Sequence, residues 1–219
     1  MYDEARIKEL QEIYRSIGGD IRKRLQEFKK IWEEGDDKRI FMELAFCLLT
    51  PQSKARICWK AIERLTAKDV LFQGSEKEIL KELGGVRFKK RKAVYIVEAR
   101  EKFADKGDIR IKDQLRRLLK NDVFFTREWL VENIKGLGYK EASHFLRNIG
   151  FGEDITILDR HVLKNLRLLG VIGEFPKSLS KRKYLTIEND MRRFSKHVKI
   201  PLEHLDLILW YRETGEIFK

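Results

Sequence analysis

The sequence predicts an all-α protein with two helical lobes around a cleft, and three observations lead to this prediction. Apolar residues recur at spacings of three and four through most of the 219 residues. No stretch shows the clean alternation of a half-buried strand for more than a few positions. Glycine and proline separate the periodic segments, and no low-complexity tract or flexible linker is present. We therefore expect packed helices joined by short connections.

The composition narrows the class of protein. The chain carries 47 Lys and Arg against 35 Asp and Glu, a net charge of +12, which suits a polyanionic partner but also an ordinary solvated surface. We find no apolar run of membrane length and no secretory signal, so we expect a cytoplasmic protein without a membrane partner. With only Cys47 and Cys58, a four-cysteine cluster within this chain is excluded.

The N-terminal segment predicts two amphipathic helices over residues 3–16 and 20–34. Gly18 and Gly19 stand between them and predict a break.

The next segment predicts a central, buried helix from Phe41 to Leu49, because its apolar residues are nearly continuous. Thr50 precedes Pro51 and should end this helix, since a residue before proline disfavours the α conformation. Ser53 is expected to cap the following helix, which runs to about Leu65.

The middle of the chain predicts a short helix over 76–83, which ends at Gly84-Gly85. A basic loop with an aromatic residue follows at 86–92. One further helix, rich in Arg and Lys, is expected over 107–120.

A helical hairpin is predicted over 126–150. Its first helix should begin at Thr126 as N-cap, and its second helix should end at Gly150. Gly136 and Gly138 form the turn and leave bare N–H groups at the start of the second helix. Such a helix start binds an anion, for example a phosphate.

Three helices complete the prediction. They are expected over 159–169, near 179–195, and from Pro201 through the apolar residues Leu205, Ile208, Leu209 and Trp210.

The hairpin and its downstream residues resemble the helix-hairpin-helix (HhH-GPD) superfamily of DNA glycosylases. The loop Lys135-Gly136-Leu137-Gly138-Tyr139-Lys140 looks like the family hairpin, and Leu158-Asp159-Arg160-His161 matches the family Asp-x-His. A Gly-x-Gly-x-Lys alone is a weak signal, but Asp159 stands 19 residues after Lys140, as in the family. The resemblance covers about residues 40–212, and in detail the chain looks like the archaeal type-two 8-oxoguanine DNA glycosylase/lyases.

The resemblance implies a DNA-binding cleft and a division of the chain into three parts. Residues 1–39 would pack with the hairpin lobe, 40–125 would form the lobe with DNA-probing loops, and 126–219 would form the catalytic lobe.

Lys140 and Asp159 are the candidate catalytic residues. A lysine attacks C1′ only as the free amine, and a position at a helix N-terminus in a cleft disfavours the ammonium. The attack would give a Schiff base, and elimination at C2′ would cut the strand on the 3′ side. Asp159 would stabilise positive charge on the sugar and help to move the proton. Each residue alone also fits a plainer interpretation: an exposed helix lysine and an N-cap.

The resemblance further implies a set of DNA-binding residues. Gln52 would enter the stack and fill the space of the flipped nucleotide, although it also fits a capping or solvated loop residue. Arg87 or Phe88 would probe the base opposite the lesion, or else the segment would form a solvated basic turn with a core Phe. The hairpin residues Lys135, Gly136, Gly138 and Tyr139, together with His161, would lie near the DNA backbone.

Base recognition is assigned to the C-terminal part. Trp210 is the first candidate for stacking on the flipped base, with Phe88 and Phe218 as further candidates, although Trp210 also fits a core residue. Lys219 matches the family lysine that folds back towards the damaged base, against the default of a disordered terminus. Asp206 could contact the altered edge of the purine.

These assignments together predict a base-excision repair enzyme that removes 8-oxoguanine from double-stranded DNA and cleaves the abasic site. The alternatives are a glycosylase/lyase for another damaged base and a non-catalytic DNA-binding module. We expect no organic cofactor, no side-chain metal site, and a Na⁺ or K⁺ ion at the carbonyls of Ile134 and Leu137. A monomer associated with the nucleoid is expected.

Overall fold

The computed structural model describes residues 2–219, which form twelve α-helices and one two-stranded ribbon. The elements are α1 (Glu4–Glu34), α2 (Asp37–Leu49), α3 (Ala55–Ala67), α4 (Val70–Gln73), α5 (Glu76–Glu82), α6 (Lys89–Lys102), β1 (Ala104–Asp105), β2 (Asp108–Ile109), α7 (Ile111–Leu119), α8 (Val123–Asn133), α9 (Tyr139–Asn148), α10 (Arg160–Leu168), α11 (Lys181–Val198) and α12 (Leu202–Thr214). The all-α prediction is confirmed.

The N-terminal segment is one helix, so the predicted break at Gly18-Gly19 is wrong. Helical glycine costs about 1 kcal/mol relative to alanine. The apolar face of α1 continues through this point, with Ile17 and Ile21 buried on either side of the two glycines. Burial of that face outweighs the propensity of two residues, which a local pattern does not reveal.

Two predicted caps are also wrong. The side chain of Ser53 does not cap α3; its hydroxyl accepts hydrogen bonds from distant residues instead. Asp122 rather than Thr126 caps α8, because its carboxylate accepts a hydrogen bond from the Phe125 N–H at 2.6 Å. The predicted helix over 107–120 begins only at Ile111, since residues 104–109 form the two-residue strands of the ribbon.

The apolar side chains form two clusters. The first contains side chains from α2 to α9 and extends from Ile40 to Ile155. The second unites α1 with α10, α11 and α12. The hairpin helices α8 and α9 contribute apolar side chains to the first cluster. The cores divide between Ile155 and Leu158, and the three-part domain division stays a prediction.

Among residues 2–219, no helix is both long and apolar enough to span a membrane.

Candidate active site

Asp159 is held rigidly at the start of α10. Its Oδ1 accepts hydrogen bonds from the N–H groups of His161 and Val162, both at 2.8 Å. The predicted N-cap is confirmed. A capped carboxylate with one oxygen fixed is oriented before any substrate arrives.

Lys140 is the second residue of α9, and its side chain is 23% exposed. Its Nζ lies 2.9 Å from Oε1 of Glu141. The other oxygen of Glu141 accepts a hydrogen bond from the Gly138 N–H at 3.2 Å. Glu141 therefore joins the hairpin backbone to the amine, a role that the sequence pattern did not indicate.

A buried network joins the two segments that carry the candidate residues. Tyr184 of α11 has its ring 5.5 Å from that of Tyr139, next to Lys140. Its hydroxyl donates to the Thr156 carbonyl at 2.7 Å and accepts from the Leu158 N–H at 3.4 Å, next to Asp159. A single buried side chain thus contacts the segments that carry both groups.

A buried ion pair supports the same network. Arg127 of α8 donates two hydrogen bonds to Glu188 of α11, at 2.7 and 2.8 Å. Glu188 also accepts from the Thr156 N–H at 3.0 Å. Bidentate charged pairs of this kind fix geometry as well as adding stability. Arg127 and Glu188 were not singled out by the sequence.

The hairpin turn rests on α6. Gly136 has φ +91°, and a Cβ at this position would collide with the ring of Tyr95. Lys135 lies on the surface and pairs with Glu98 of α6 at 2.8 Å. The hydroxyl of Tyr139 donates to Glu128, so this side chain is turned to the protein. Gly138 is exposed at the start of α9, but its N–H donates to Glu141, so the prediction of a bare N–H group at this residue is wrong.

Gln52 and Phe88 lie on exposed loops in an uncommon backbone conformation, with φ values of +54° and +56°. Phe88 is 57% exposed, which contradicts the interpretation of a core Phe. The guanidinium of Arg87 lies over its ring, 5.5 Å from the centroid. Non-glycine residues with positive φ are strained and concentrate at functional sites.

The basic run after Phe88 does not face solvent throughout. Lys89, Lys90 and Arg91 are exposed, but Lys92 is only 3% exposed and makes its hydrogen bonds within the protein. The basic segment predicted over 86–92 is therefore exposed only as far as Arg91, because the first turn of α6 directs the Lys92 side chain inwards.

The C-terminal residues 216–219, here called the tail, are packed rather than disordered. The Nζ of Lys219 binds the fully buried carboxylate of Glu43 and lies 3.9 Å from the ring centroid of Trp59. Phe218 packs edge-on to Phe46, at 6.5 Å between centroids. Burial lowers the pKa of Lys219, while the charge of Glu43 opposes that effect.

His144 lies one turn after Lys140 and was missed by the sequence analysis. It is fully buried, with its ring edge-on to Phe46 at 5.5 Å. Burial, followed by the positive charges of Arg147 and Lys140, holds its pKa well below the usual value. Its Nε2 has no hydrogen-bond partner among residues 2–219. A neutral imidazole with a free ring nitrogen thus lies near both Lys140 and the tail.

Trp210 and His161 form a pair. Their rings meet edge-to-face at 5.1 Å, and Trp210 is half-buried. Its indole Nε1 has no hydrogen-bond partner in the described chain. Nδ1 of His161 lies 3.8 Å from Glu213, so this ring is held between two residues of α12.

Asp206 is buried and faces Arg147 of α9, at 3.9 Å from the guanidinium. Burial raises the pKa of Asp206 to about 6, with a further increase from the charge of Asp159. The structure therefore places Asp206 in the protein interior, against Arg147 of α9.

Comparisons with known proteins agree with this geometry. The family model for 8-oxoguanine DNA glycosylase matches residues 21–200. The 8-oxoguanine DNA glycosylase/AP lyase of Fusobacterium nucleatum is 51% identical, over 96% of each chain. The enzyme of the same name from Methanocaldococcus jannaschii is 42% identical, over 97% of this chain and 99% of that protein.

Solved structures match equally well. The crystal structure of the 8-oxoguanine DNA glycosylase of Thermotoga maritima has a TM-score of 0.87 and 36% identity, with 99% of each chain covered. The Methanocaldococcus jannaschii glycosylase/lyase, crystallised with a 15mer DNA containing 8-oxoguanine, has a TM-score of 0.85 and 40% identity, covering 97% of this chain and 99% of that chain. The chain belongs to the 8-oxoguanine DNA glycosylase family of helix-hairpin-helix proteins.

Proposed function

We propose that this chain removes 8-oxoguanine from double-stranded DNA and then cleaves the abasic site, as a bifunctional DNA glycosylase/AP lyase. The relatives carry that activity in their names, and one structural relative is bound to DNA containing 8-oxoguanine. The observation that carries the chemistry is the pair Lys140 and Asp159. The amine stands at a helix start, and the carboxylate is fixed by two backbone N–H groups.

The reaction begins with extrusion of the damaged nucleotide, because C1′ is inaccessible inside the duplex. Lys140 Nζ forms a bond to C1′ as the bond from C1′ to the base breaks, and the base leaves with the electron pair and takes up a proton. Asp159 stabilises the positive charge that develops on the sugar. The amine must lose protons along this path, and the carboxylates of Asp159 and Glu141 are the acceptors that we assign.

Strand cleavage follows from the covalent intermediate. When the sugar ring opens, the Lys140 adduct is a Schiff base, and its positive nitrogen acidifies the hydrogen on C2′. Removal of that proton expels the 3′ phosphate as leaving group. Hydrolysis then frees Lys140 for another cycle.

For base recognition we propose a pocket between the tail and α12. Phe218 and Trp210 supply aromatic faces, and Lys219 closes the pocket beside His144. Nε2 of His144 and Nε1 of Trp210 are buried without a hydrogen-bond partner among residues 2–219, and the edge of a purine that enters this pocket would satisfy them. Asp206 acts indirectly, by holding Arg147, because its buried carboxylate faces that residue.

For DNA binding we propose that Gln52, Arg87 and Phe88 enter the duplex from their exposed loops. The backbone at Gly136 and Gly138, with Lys135 and His161 nearby, would contact phosphates. A Na⁺ or K⁺ ion at the carbonyls of Ile134 and Leu137 would bridge to one phosphate. The Ile134 carbonyl accepts from the Leu137 N–H at 3.2 Å and keeps a second lone pair for the ion. Because its substrate is chromosomal DNA, we propose that the enzyme acts as a monomer in the cytoplasm, with the nucleoid.

Borohydride trapping tests the function. Wild type should form a covalent adduct with a duplex that carries one 8-oxoguanine, because reduction fixes the Schiff base. Lys140→Gln should abolish the adduct while it leaves DNA binding intact. Lys68→Gln, at a surface lysine that pairs with Glu82 and is not among the proposed DNA-binding residues, is the matched control and should trap normally.

Trapping on other damaged bases, but none on 8-oxoguanine, would reassign the lesion. DNA binding without any covalent adduct would show that the chain is a non-catalytic DNA-binding module.

A further inference from the structure

Helix α6 contacts three elements that the proposed function places on DNA. It begins directly after Phe88, and Tyr95 in its middle supports the hairpin at Gly136. Glu98 binds Lys135 of the same hairpin. In its first turn, the side chain of Lys92 points towards the loop that carries Gln52. The helix therefore connects the hairpin with both exposed loops.

All three N–H donors of the Lys92 ammonium make hydrogen bonds within the protein. Its Nζ donates to the Leu49 carbonyl at 2.7 Å, to the Pro51 carbonyl at 2.7 Å and to Ser53 Oγ at 3.1 Å. An ammonium has three N–H donors, so these acceptors use its full capacity. The bonds lie on both sides of Gln52 in the sequence and fix the loop around it.

Ser53 extends this contact to the second loop. Its Oγ accepts from the Arg87 N–H at 3.0 Å as well as from Lys92. The Ser53 hydroxyl thus accepts one hydrogen bond from the backbone of Arg87 and one from the side chain of Lys92. Through Lys92 and Ser53, the backbone next to Gln52 and the backbone next to Phe88 are joined.

Both loops need such support. Gln52 and Phe88 have positive φ values, a conformation that persists only when surrounding contacts enforce it. The contact also has an energetic disadvantage. Burial and repulsion from Lys140 and Arg87 lower the pKa of Lys92 to about 8, and attraction from Cys58 and Glu141 only partly opposes this shift. An apolar side chain would avoid that penalty, so stability alone does not explain a buried amine here.

We propose that Lys92 is a positioning residue that holds Gln52 and Phe88 as one unit, so that both side chains enter DNA together when the damaged base is extruded. The inference rests on the proposed function and assigns a role in its first step, before any bond is broken. It separates extrusion, which depends on Lys92, from the later chemistry of Lys140.

The test compares wild type with Lys92→Met, which keeps the length of the side chain and removes its three donors. Duplexes carry 2-aminopurine beside 8-oxoguanine, so that a rise in fluorescence reports unstacking. We expect the rise to be lost and excision of 8-oxoguanine to fall about 10- to 100-fold, as for a misplacement near 1 Å. Borohydride trapping on a duplex with a ready-made abasic site should change little, because no base has to be extruded.

Two further variants make the result decisive. Ser53→Ala removes the hydroxyl that links the loops and leaves Lys92 in place, so it should reduce fluorescence and excision in the same direction by a smaller factor. Ser53→Ala also tests the proposed link between the two loops if Lys92→Met does not fold. Lys112→Met is the matched control, because Lys112 is a half-buried lysine that donates to the Gly35 carbonyl at 2.7 Å, away from both loops.

The outcomes distinguish the two proposals. Failure of wild type to excise 8-oxoguanine would overturn the proposed function. Excision by wild type, with normal fluorescence in Lys92→Met and Ser53→Ala, would overturn the role of Lys92. Equal loss of excision and of abasic-site trapping in a folded Lys92→Met would also overturn it, because the residue would then act on the chemistry itself.

Discussion

The two sides of the candidate site are built in different ways. On one side, Asp159 is held by N–H groups two and three residues away, and Lys140 contacts its neighbour Glu141. On the other side, Lys219 is held by Glu43, which stands 176 residues earlier in the chain. The catalytic side is therefore made by local backbone geometry, and the tail side is made by tertiary contacts.

This difference suggests that the two sides have different functions. The geometry of Lys140 and Asp159 depends only on the starts of two helices. We therefore expect this side to carry out the sugar chemistry, which all substrates share. The tail pocket depends on contacts between α2, α3, α9 and the chain end, so its shape can change without disturbing the catalytic pair. We expect substitutions on the catalytic side to affect every substrate, and substitutions at the tail to affect only those with a base to recognise.

The largest effect should come from Asp159→Asn. Asparagine also caps helices well, so α10 should remain folded. Loss of the negative charge beside the developing sugar cation should reduce both excision and abasic-site cleavage by about 10²–10³-fold. Single-turnover rates on both duplexes measure the effect. Asp122→Asn, at the cap of α8, is the matched control and should leave both rates unchanged. Normal rates in Asp159→Asn would leave the carboxylate with its capping role alone.

The second prediction concerns the buried carboxylate of Asp206 and the pH dependence of the free energy of unfolding. The folded pKa of Asp206, about 6, lies above its usual 3.8, so the folded state binds the proton more tightly than the unfolded state. The contribution of Asp206 to stability is therefore full below pH 4 and is lost as the pH rises through 6, by about 3 kcal/mol.

Urea unfolding of wild type and Asp206→Asn at several pH values measures this loss. The difference in free energy of unfolding should shift in favour of the variant between pH 4 and pH 7. Asp113→Asn, at an exposed carboxylate, is the control for the effect of the Asp-to-Asn substitution itself. A constant difference for Asp206→Asn would mean that Asp206 is ionised throughout that range.

The tail side is tested by Glu43→Gln. The amide keeps the shape of the carboxylate but removes the charge that holds Lys219. Hydrogen bonds to charged groups contribute about 1.5–3 kcal/mol, so excision of 8-oxoguanine should fall about 10- to 100-fold. Cleavage at a ready-made abasic site should persist, which is the pattern opposite to that of Asp159→Asn. Glu82→Gln, which loses its pairing with Lys68 at the surface, is the control. Equal losses in both reactions would remove the distinction between the two sides.

The sequence predicted these two sides with unequal success, for physical reasons. The cap at Asp159, the hairpin glycines and the central helix α2 follow from rules that act within a few residues, and the structure has them. Glu43, His144 and Lys92 depend on neighbours from other helices, so no periodicity indicated their roles. The break at Gly18-Gly19 shows the same limit, because tertiary burial overrode a local preference. The role of Lys219 came only from the family resemblance.

The smallest effect should come from His161→Ala, which tests whether Trp210 belongs to the tail side. His161 meets the Trp210 ring edge-to-face, and such pairs contribute about 0.5–1.5 kcal/mol. If Trp210 stacks on the extruded base, loss of this support should slow excision of 8-oxoguanine about 2- to 10-fold. At saturating enzyme, abasic-site cleavage should stay unchanged, because this reaction involves no base and a lost phosphate contact would weaken only binding. His197→Ala, which breaks a comparable contact with Tyr2 at 4.9 Å, is the matched control for a lost aromatic pair. A loss in abasic-site cleavage as well would place His161 with Asp159, two residues before it, on the catalytic side.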